Sequence, residues 1–184
     1  MKKQPNCVIT GSFDPFTVGH FCLVEKALEY FDRVYILIAD NPSKKYMFTN
    51  QERQAIIEDA FNSPAYAGRV FVCTWHKMTV DWCIAAEVYT IVRGVRDVTD
   101  MAYELNMART NRILGEDQDV TIDTIFIPTY GDIVSVSSSL IRTLIGTNSR
   151  TWYSYVPNPK FIKQILDIKN CKEHQKSDKE LVTA

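Results

Sequence analysis

Nothing in this chain has the makings of a sulfur-based metal centre or a disulfide scaffold. Its five cysteines, Cys7, Cys22, Cys73, Cys83 and Cys171, form no CxxC pair, and their odd number leaves one thiol over in any pairing scheme. Reduced, mostly buried thiols in a cytoplasmic protein are the expectation. Long apolar runs are missing too, and no stretch approaches the roughly 20 residues of a membrane-spanning helix. Lys2 and Lys3 are followed by Pro5 and Asn6, and the apolar run from Cys7 stops at Gly11, which is too short for a signal peptide. An excess of charge is also absent. With 21 Lys and Arg against 22 Asp and Glu, the formal net charge is −1, so there is no global electrostatic footprint for nucleic acid or an anionic membrane, and any anion site must be local. Internal repeats and low-complexity tracts are lacking as well.

What is present is the composition of an ordinary globular protein, 46% hydrophobic and 23% charged over 184 residues. That length suits one α/β domain with a full core, assigned to residues 1–168, followed by a charged tail at 169–184 expected to be mobile or loosely helical. Short apolar runs alternate with helical patterns: Cys7 to Ile9, Val34 to Ala39, Val70 to Cys73, Thr90 to Val92 and Ile122 to Ile127 read as strands. The alternation predicts a Rossmann-like, five-stranded parallel sheet with helices on both faces. Thr49 to Glu52 is a capping box that opens a helix, and Gly115 is placed as the C-terminal stop of a long helix that begins near Val98.

In such sheets ligands bind at the carboxyl ends of the strands, and four features fall there. Gly11 to His20 (Gly-Ser-Phe-Asp-Pro-Phe-Thr-Val-Gly-His) joins the first strand to a helix start, where unpaired backbone N–H groups and a positive dipole end favour anions. Ser12 and His20 add side-chain donors to that spot. Lys44 follows the second strand, Arg93 and Arg96 bracket Gly94 after the fourth, and Ser137, Ser138 and Ser139 cap a helix after the fifth. Taken singly, each has an ordinary explanation: a turn, a solvated lysine pair, surface arginines, an N-cap. Their coincidence at one sheet edge argues for a phosphate site. No cluster of carboxylates with metal-ligand spacing accompanies them.

Thr17-Val18-Gly19-His20 resembles the (T/H)xGH signature of the nucleotidyltransferases, and the form with Thr first, preceded by Gly-Ser-Phe-Asp-Pro, resembles phosphopantetheine adenylyltransferases. The likeness extends through Pro42 to Lys45, Met47 to Thr49, Glu52-Arg53, Arg93 to Arg96, Tyr103-Glu104, Asn111-Arg112 and Val136 to Leu140, in the family's order. It implies transfer of the adenylyl group of ATP to 4′-phosphopantetheine, with Mg²⁺ carried mainly on the ATP phosphates and the chain assembled as a cytoplasmic homohexamer. His20 is implied to stabilise the transition state. Ser12, Phe13, His20, Gly94, Val95, Arg96, Glu104 and the run Ile133, Val134, Ser135, Val136, Ser137, Ser138 and Ser139 are implied to hold ATP. Ser12, Lys44, Thr79 and Arg93 are implied to hold phosphopantetheine. Val18 stands where the family usually has Asn, Thr79 replaces an apolar residue, the loop before Ser137 is one residue longer, and the charged tail is extra. Competing readings are another small-molecule nucleotidyltransferase, such as one acting on nicotinamide mononucleotide or glycerol 3-phosphate, and a catalytically silent nucleotide-binding protein. Against a further reading, a fragment of a class I aminoacyl-tRNA synthetase, stands the lack of a basic face or RNA-binding domain in this sequence.

Overall fold

The structure is a computed structural model that describes residues 4–40, 44–129, 131 and 135–182, with side chains described between 5 and 171. Strands β1 (Gln4–Gly11), β2 (Phe31–Ala39), β3 (Val70–Trp75), β4 (Thr90–Val95) and β5 (Asp123–Pro128) form one sheet in the order β3-β2-β1-β4-β5. All neighbours are parallel. The chain winds outward from β1 to β3, then crosses back to β4 on the other side of β1. Between β1 and β4 the direction of winding reverses, and there a crevice opens at the carboxyl ends.

Side-chain alternation along each strand separates two cores. Cys7, Ile9, Ile36, Ile38 and Val92 face α1 (Val18–Tyr30), α2 (Asn50–Ala60), α5 (Ser138–Gly146) and α6 (Pro159–Val182). Val8, Leu37 and Ile91 face α3 (Thr79–Ala85) and α4 (Val98–Glu116) through Val80, Cys83 and Leu114. Strands apolar on both faces are what a sheet covered on both sides requires, and each fully buried Ile or Val contributes roughly 1.5–3 kcal/mol of burial free energy. Among the described residues no helix is long and apolar enough to cross a membrane.

The chain differs from the sequence-based expectation in three respects. β3 runs on to Trp75 and β4 to Val95, because their backbones still find ladder partners (Ala39 opposite Trp75; Phe126, Ile127 and Pro128 opposite Arg93, Gly94 and Val95). Arg93 is therefore a strand residue, not a loop residue. Gly115 does not end α4 but lies inside it, where a Cβ would come within 2.9 Å of the Val120 carbonyl oxygen. The left-handed residue after that helix is Asp119, with φ 60°. The charged tail, expected to be mobile or loosely helical, continues α6 as helix to Val182. Finally, only Cys7 and Cys83 are buried; Cys73 is partly so, and Cys22 and Cys171 are exposed, all five being free thiols.

Candidate active site

The loop from Gly11 to Thr17 ends in a capping box of unusual chemistry. Thr17 is the N-cap of α1, and its Oγ1 accepts from the His20 backbone N–H at 3.2 Å. In return the Thr17 backbone N–H donates to His20 Nδ1 at 3.0 Å, a place commonly taken by a side-chain oxygen of Glu or Gln. A backbone N–H only donates, so Nδ1 is unprotonated and the ring proton resides on Nε2. Phe13 meets the imidazole edge-on at 5.1 Å and Phe16 lies 5.4 Å away. Burial, then the positive charges of Arg93 and Arg96, push the His20 pKa down from 6.5 to about 4. His20 is thus a neutral, oriented Nε2–H donor at neutral pH.

This depression has a consequence for stability. An unfolded chain binds a proton at His20 below pH 6.5 and the folded chain does not until about pH 4, so protons favour unfolding across that window. His20 therefore contributes stability that is fully present above about 6.5 and is lost as the pH falls toward about 4. Urea midpoints measured against pH check this: the wild type should fall more steeply in that window than His20→Gln, which keeps a capping side chain but does not titrate. Parallel curves would show that His20 carries no such depressed value.

Around the imidazole opens a cleft of about 430 Å³, lined among others by Ser12, Phe13, His20, Lys44, Thr79, Arg93, Gly94, Arg96, Glu104, Val136, Ser137 and Ser138. It is the largest group of sequence-derived site residues that the fold brings together. Val95, Ser135 and Ser139 are not part of its lining. Val95 instead accepts the Thr129 N–H through its carbonyl at 2.8 Å. Ile133 and Val134 lie outside the described residues, as do Pro42 and Ser43. Gly94 faces Leu23, whose Cδ2 would stand 3.3 Å from a Cβ, so β4 and α1 approach closely just below the cleft.

The cations are not equally free. Arg93 grips Glu104 with Nε and Nη2 at 2.6 Å each and donates Nη1 to the carbonyl and hydroxyl oxygens of Thr10. Arg96 holds Asp100 at 2.6 and 3.0 Å. Lys44 is exposed and makes no ion pair among the described residues. At the start of α5, Ser137 Oγ accepts from the Leu140 N–H, Ser138 Oγ donates to the Pro15 carbonyl at 2.8 Å, and Ser139 Oγ accepts from Arg142 Nη2 at 2.9 Å. The expected common edge of anion-binding groups exists, with two of its three cations already engaged by carboxylates.

Several participants escaped the reading of the sequence. Thr10, Leu23, Met107, Thr124 and Thr129 line the cleft without belonging to any motif noted above, because inward aim at a strand end or helix face depends on the packed sheet. Arg53, which the likeness includes without a role, is 1% exposed and donates Nη1 to the Ser12 carbonyl at 2.7 Å and Nη2 to Asp40 at 2.8 Å, and so supports the first loop from beneath. No group of three or more His, Cys, Asp or Glu able to hold a metal occurs among the described residues.

The family model described as cytidylyltransferase-like matches residues 8–144, from β1 to α5. A phosphopantetheine adenylyltransferase of Phocaeicola vulgatus is 38% identical over 138 residues, 75% of this chain and 86% of its own. One from Petrotoga mobilis is 32% identical over 159 residues, 85% of this chain and 93% of its own. Among solved structures, the Plasmodium falciparum nicotinic acid mononucleotide adenylyltransferase complexed with NaAD has a TM-score of 0.62 at 16% identity, covering 90% of this chain and 96% of that one, and supports the fold alone. With the (T/H)xGH loop at the switch point and these identities over most of its length, the chain belongs to the phosphopantetheine adenylyltransferase family of nucleotidyltransferases.

Proposed function

We propose that the cleft transfers the adenylyl group of ATP to 4′-phosphopantetheine, giving dephospho-coenzyme A and pyrophosphate. The observation that carries this reading is the juxtaposition of a neutral Nε2–H donor, His20, with Arg93, Arg96 and Lys44 around one helix start. A phosphate monoester has a second pKa of about 6, so the acceptor is already an anionic nucleophile at neutral pH and needs no strong general base. Its oxygen attacks the α-phosphorus in line, the bond to the α,β-bridging oxygen breaks, and pyrophosphate leaves with that electron pair; no covalent enzyme intermediate forms. His20 Nε2–H donates to a non-bridging α-phosphoryl oxygen as charge grows there. Arg96 and the hydroxyls of Ser137 and Ser138 lie on the triphosphate side. Lys44 and Arg93 meet the acceptor phosphate, with Ser12 between the two and Thr79 along the acceptor's arm.

Among the described residues, the carboxylates lining the cleft, Asp100 and Glu104, are taken by arginines. We place Mg²⁺ on the triphosphate, as part of the substrate, where it neutralises phosphate charge. The same reading includes a cytoplasmic homohexamer. Exposed apolar side chains on α4 outside the cleft, Val98 and Ile113, support self-association, and sedimentation of the purified chain tests it.

The activity is tested by pyrophosphate release from ATP with phosphopantetheine, nicotinamide mononucleotide or glycerol 3-phosphate as acceptor. Preferential turnover of phosphopantetheine is expected. Faster turnover of either other acceptor overturns the substrate assignment, and no release with any acceptor points to a silent nucleotide-binding protein.

A further inference from the structure

Asp14 is 1% exposed and does not line the cleft, yet its carboxylate is fully engaged. Oδ2 accepts the Met47 N–H at 2.9 Å and Oδ1 the Phe48 N–H at 2.8 Å, so it holds the backbone of the segment that carries Lys44. Its carbonyl oxygen accepts Arg142 Nη1 at 2.6 Å, and the same nitrogen stands 3.6 Å from Oδ2. Arg142 then donates Nη2 to Ser139 Oγ at 2.9 Å, while Ser138 is pegged to Pro15 next door. One buried residue thereby ties together the acceptor-side segment, the loop leading to His20 and the nucleotide-side helix α5. Burying a carboxylate is a costly way to hold a surface segment compared with apolar packing, but two directed backbone hydrogen bonds fix a register that apolar packing does not.

We propose that Asp14 and Arg142 form a positioning bridge that sets the separation of the acceptor cation Lys44 from the start of α5, and hence the in-line alignment of the two substrates. The proposal rests on the adenylyl-transfer reading above. Neither residue touches a reacting atom; both act through the segments they register. A bound geometry wrong by about 1 Å can cost about 10²-fold in rate, which is the lever such a bridge controls.

Arg142→Met is the first test, because that side chain is one-third exposed (33%) and the variant keeps the apolar face of α5. A fall in kcat of about tenfold or more is expected, with ATP affinity measured calorimetrically without acceptor changed less than about twofold, since the loss is one of alignment. A folded Arg142→Met with wild-type kcat overturns the bridge while leaving the activity standing. Asp14→Asn is the second test, because an amide can accept only one of the two N–H groups well. It should raise the acceptor KM, and in a Lys44→Ala background the further rise should be less than about twofold, as two changes acting through one group are not additive. Losses that multiply show a general structural effect and overturn the proposal. Absence of pyrophosphate release by the wild-type protein with every acceptor overturns the adenylyl-transfer reading instead, and removes the alignment the bridge was proposed to serve.

Discussion

Replacing His20 by alanine should lower kcat by about 10² to 10³, the usual cost of losing one preorganised donor aimed at developing charge. The size of the effect follows from how the ring is held. Thr17 N–H fixes Nδ1 as the acceptor at 3.0 Å, so the remaining proton always resides on Nε2 and no reorganisation is needed when the α-phosphoryl oxygens gain charge. With the pKa pushed down to about 4, the donor stays neutral through the physiological range and its contribution carries no pH dependence near 6.5. Saturating ATP should not rescue the variant, because the interaction is made mainly in the transition state. The same substitution removes half of a capping box and should cost about 1 kcal/mol of stability, a loss that leaves the protein folded at assay temperature. Steady-state kinetics with a denaturation curve decides the matter. A rate loss below about tenfold, or one confined to KM, shows that His20 is only a cap.

The second large effect separates two cations that the sequence presents as equivalent. Lys44→Ala should raise the acceptor KM or cut its rate with little change in Tm, since Lys44 is exposed and makes no ion pair among the described residues. Arg93→Ala should do the same to the acceptor and also destabilise the fold. Glu104 is only 8% exposed and takes two charge-assisted hydrogen bonds from Arg93, so deleting the arginine strands a buried carboxylate. Loss of one partner of a buried pair typically costs about 3–5 kcal/mol; with Arg93 itself one-quarter exposed (25%), about 2–3 kcal/mol is the better figure. Thermal denaturation of the two variants without ligand measures the contrast. Equal Tm values for both would mean that the Arg93–Glu104 pair carries no structural load. In the Arg93→Ala, Glu104→Gln double variant, stability should largely return while acceptor affinity does not.

Much of this molecule could be read along the chain because the signals are local. A β-branched apolar run flanked by turn residues specifies a strand, Thr-x-x-Glu at Thr49–Glu52 specifies a helix start, and both capping partners are found where the spacing places them. The ten residues Gly11 to His20 carry their own geometry for the same reason: Thr17 and His20 are three residues apart, within reach of each other whatever the rest of the fold does. The alternation of strands and helices likewise dictates a parallel sheet, since a strand followed by a covering helix returns in the same direction.

The strand order, by contrast, is set by which apolar faces bury best together, and that places β4 beside β1 and creates the crevice. Ladder partners across the sheet, not the apolar run itself, carry β4 past Val92 and turn Arg93 into a strand residue facing Glu104. The need for Gly115 comes from a carbonyl five residues further on, brought back over the helix end by Ile122 packing in the core. Thr10 and Thr124 enter the cleft only because neighbouring strands aim them there. The sequence by itself determined the family motif, the helix caps and the inventory of anion-binding groups, all properties of residues a few positions apart. Only the tertiary structure decided that Arg93 and Arg96 are bound to carboxylates while Lys44 makes no ion pair among the described residues, and that Asp14 ties segments 33 and 128 residues away, because those pairings depend on distances the chain sets only when the sheet has closed.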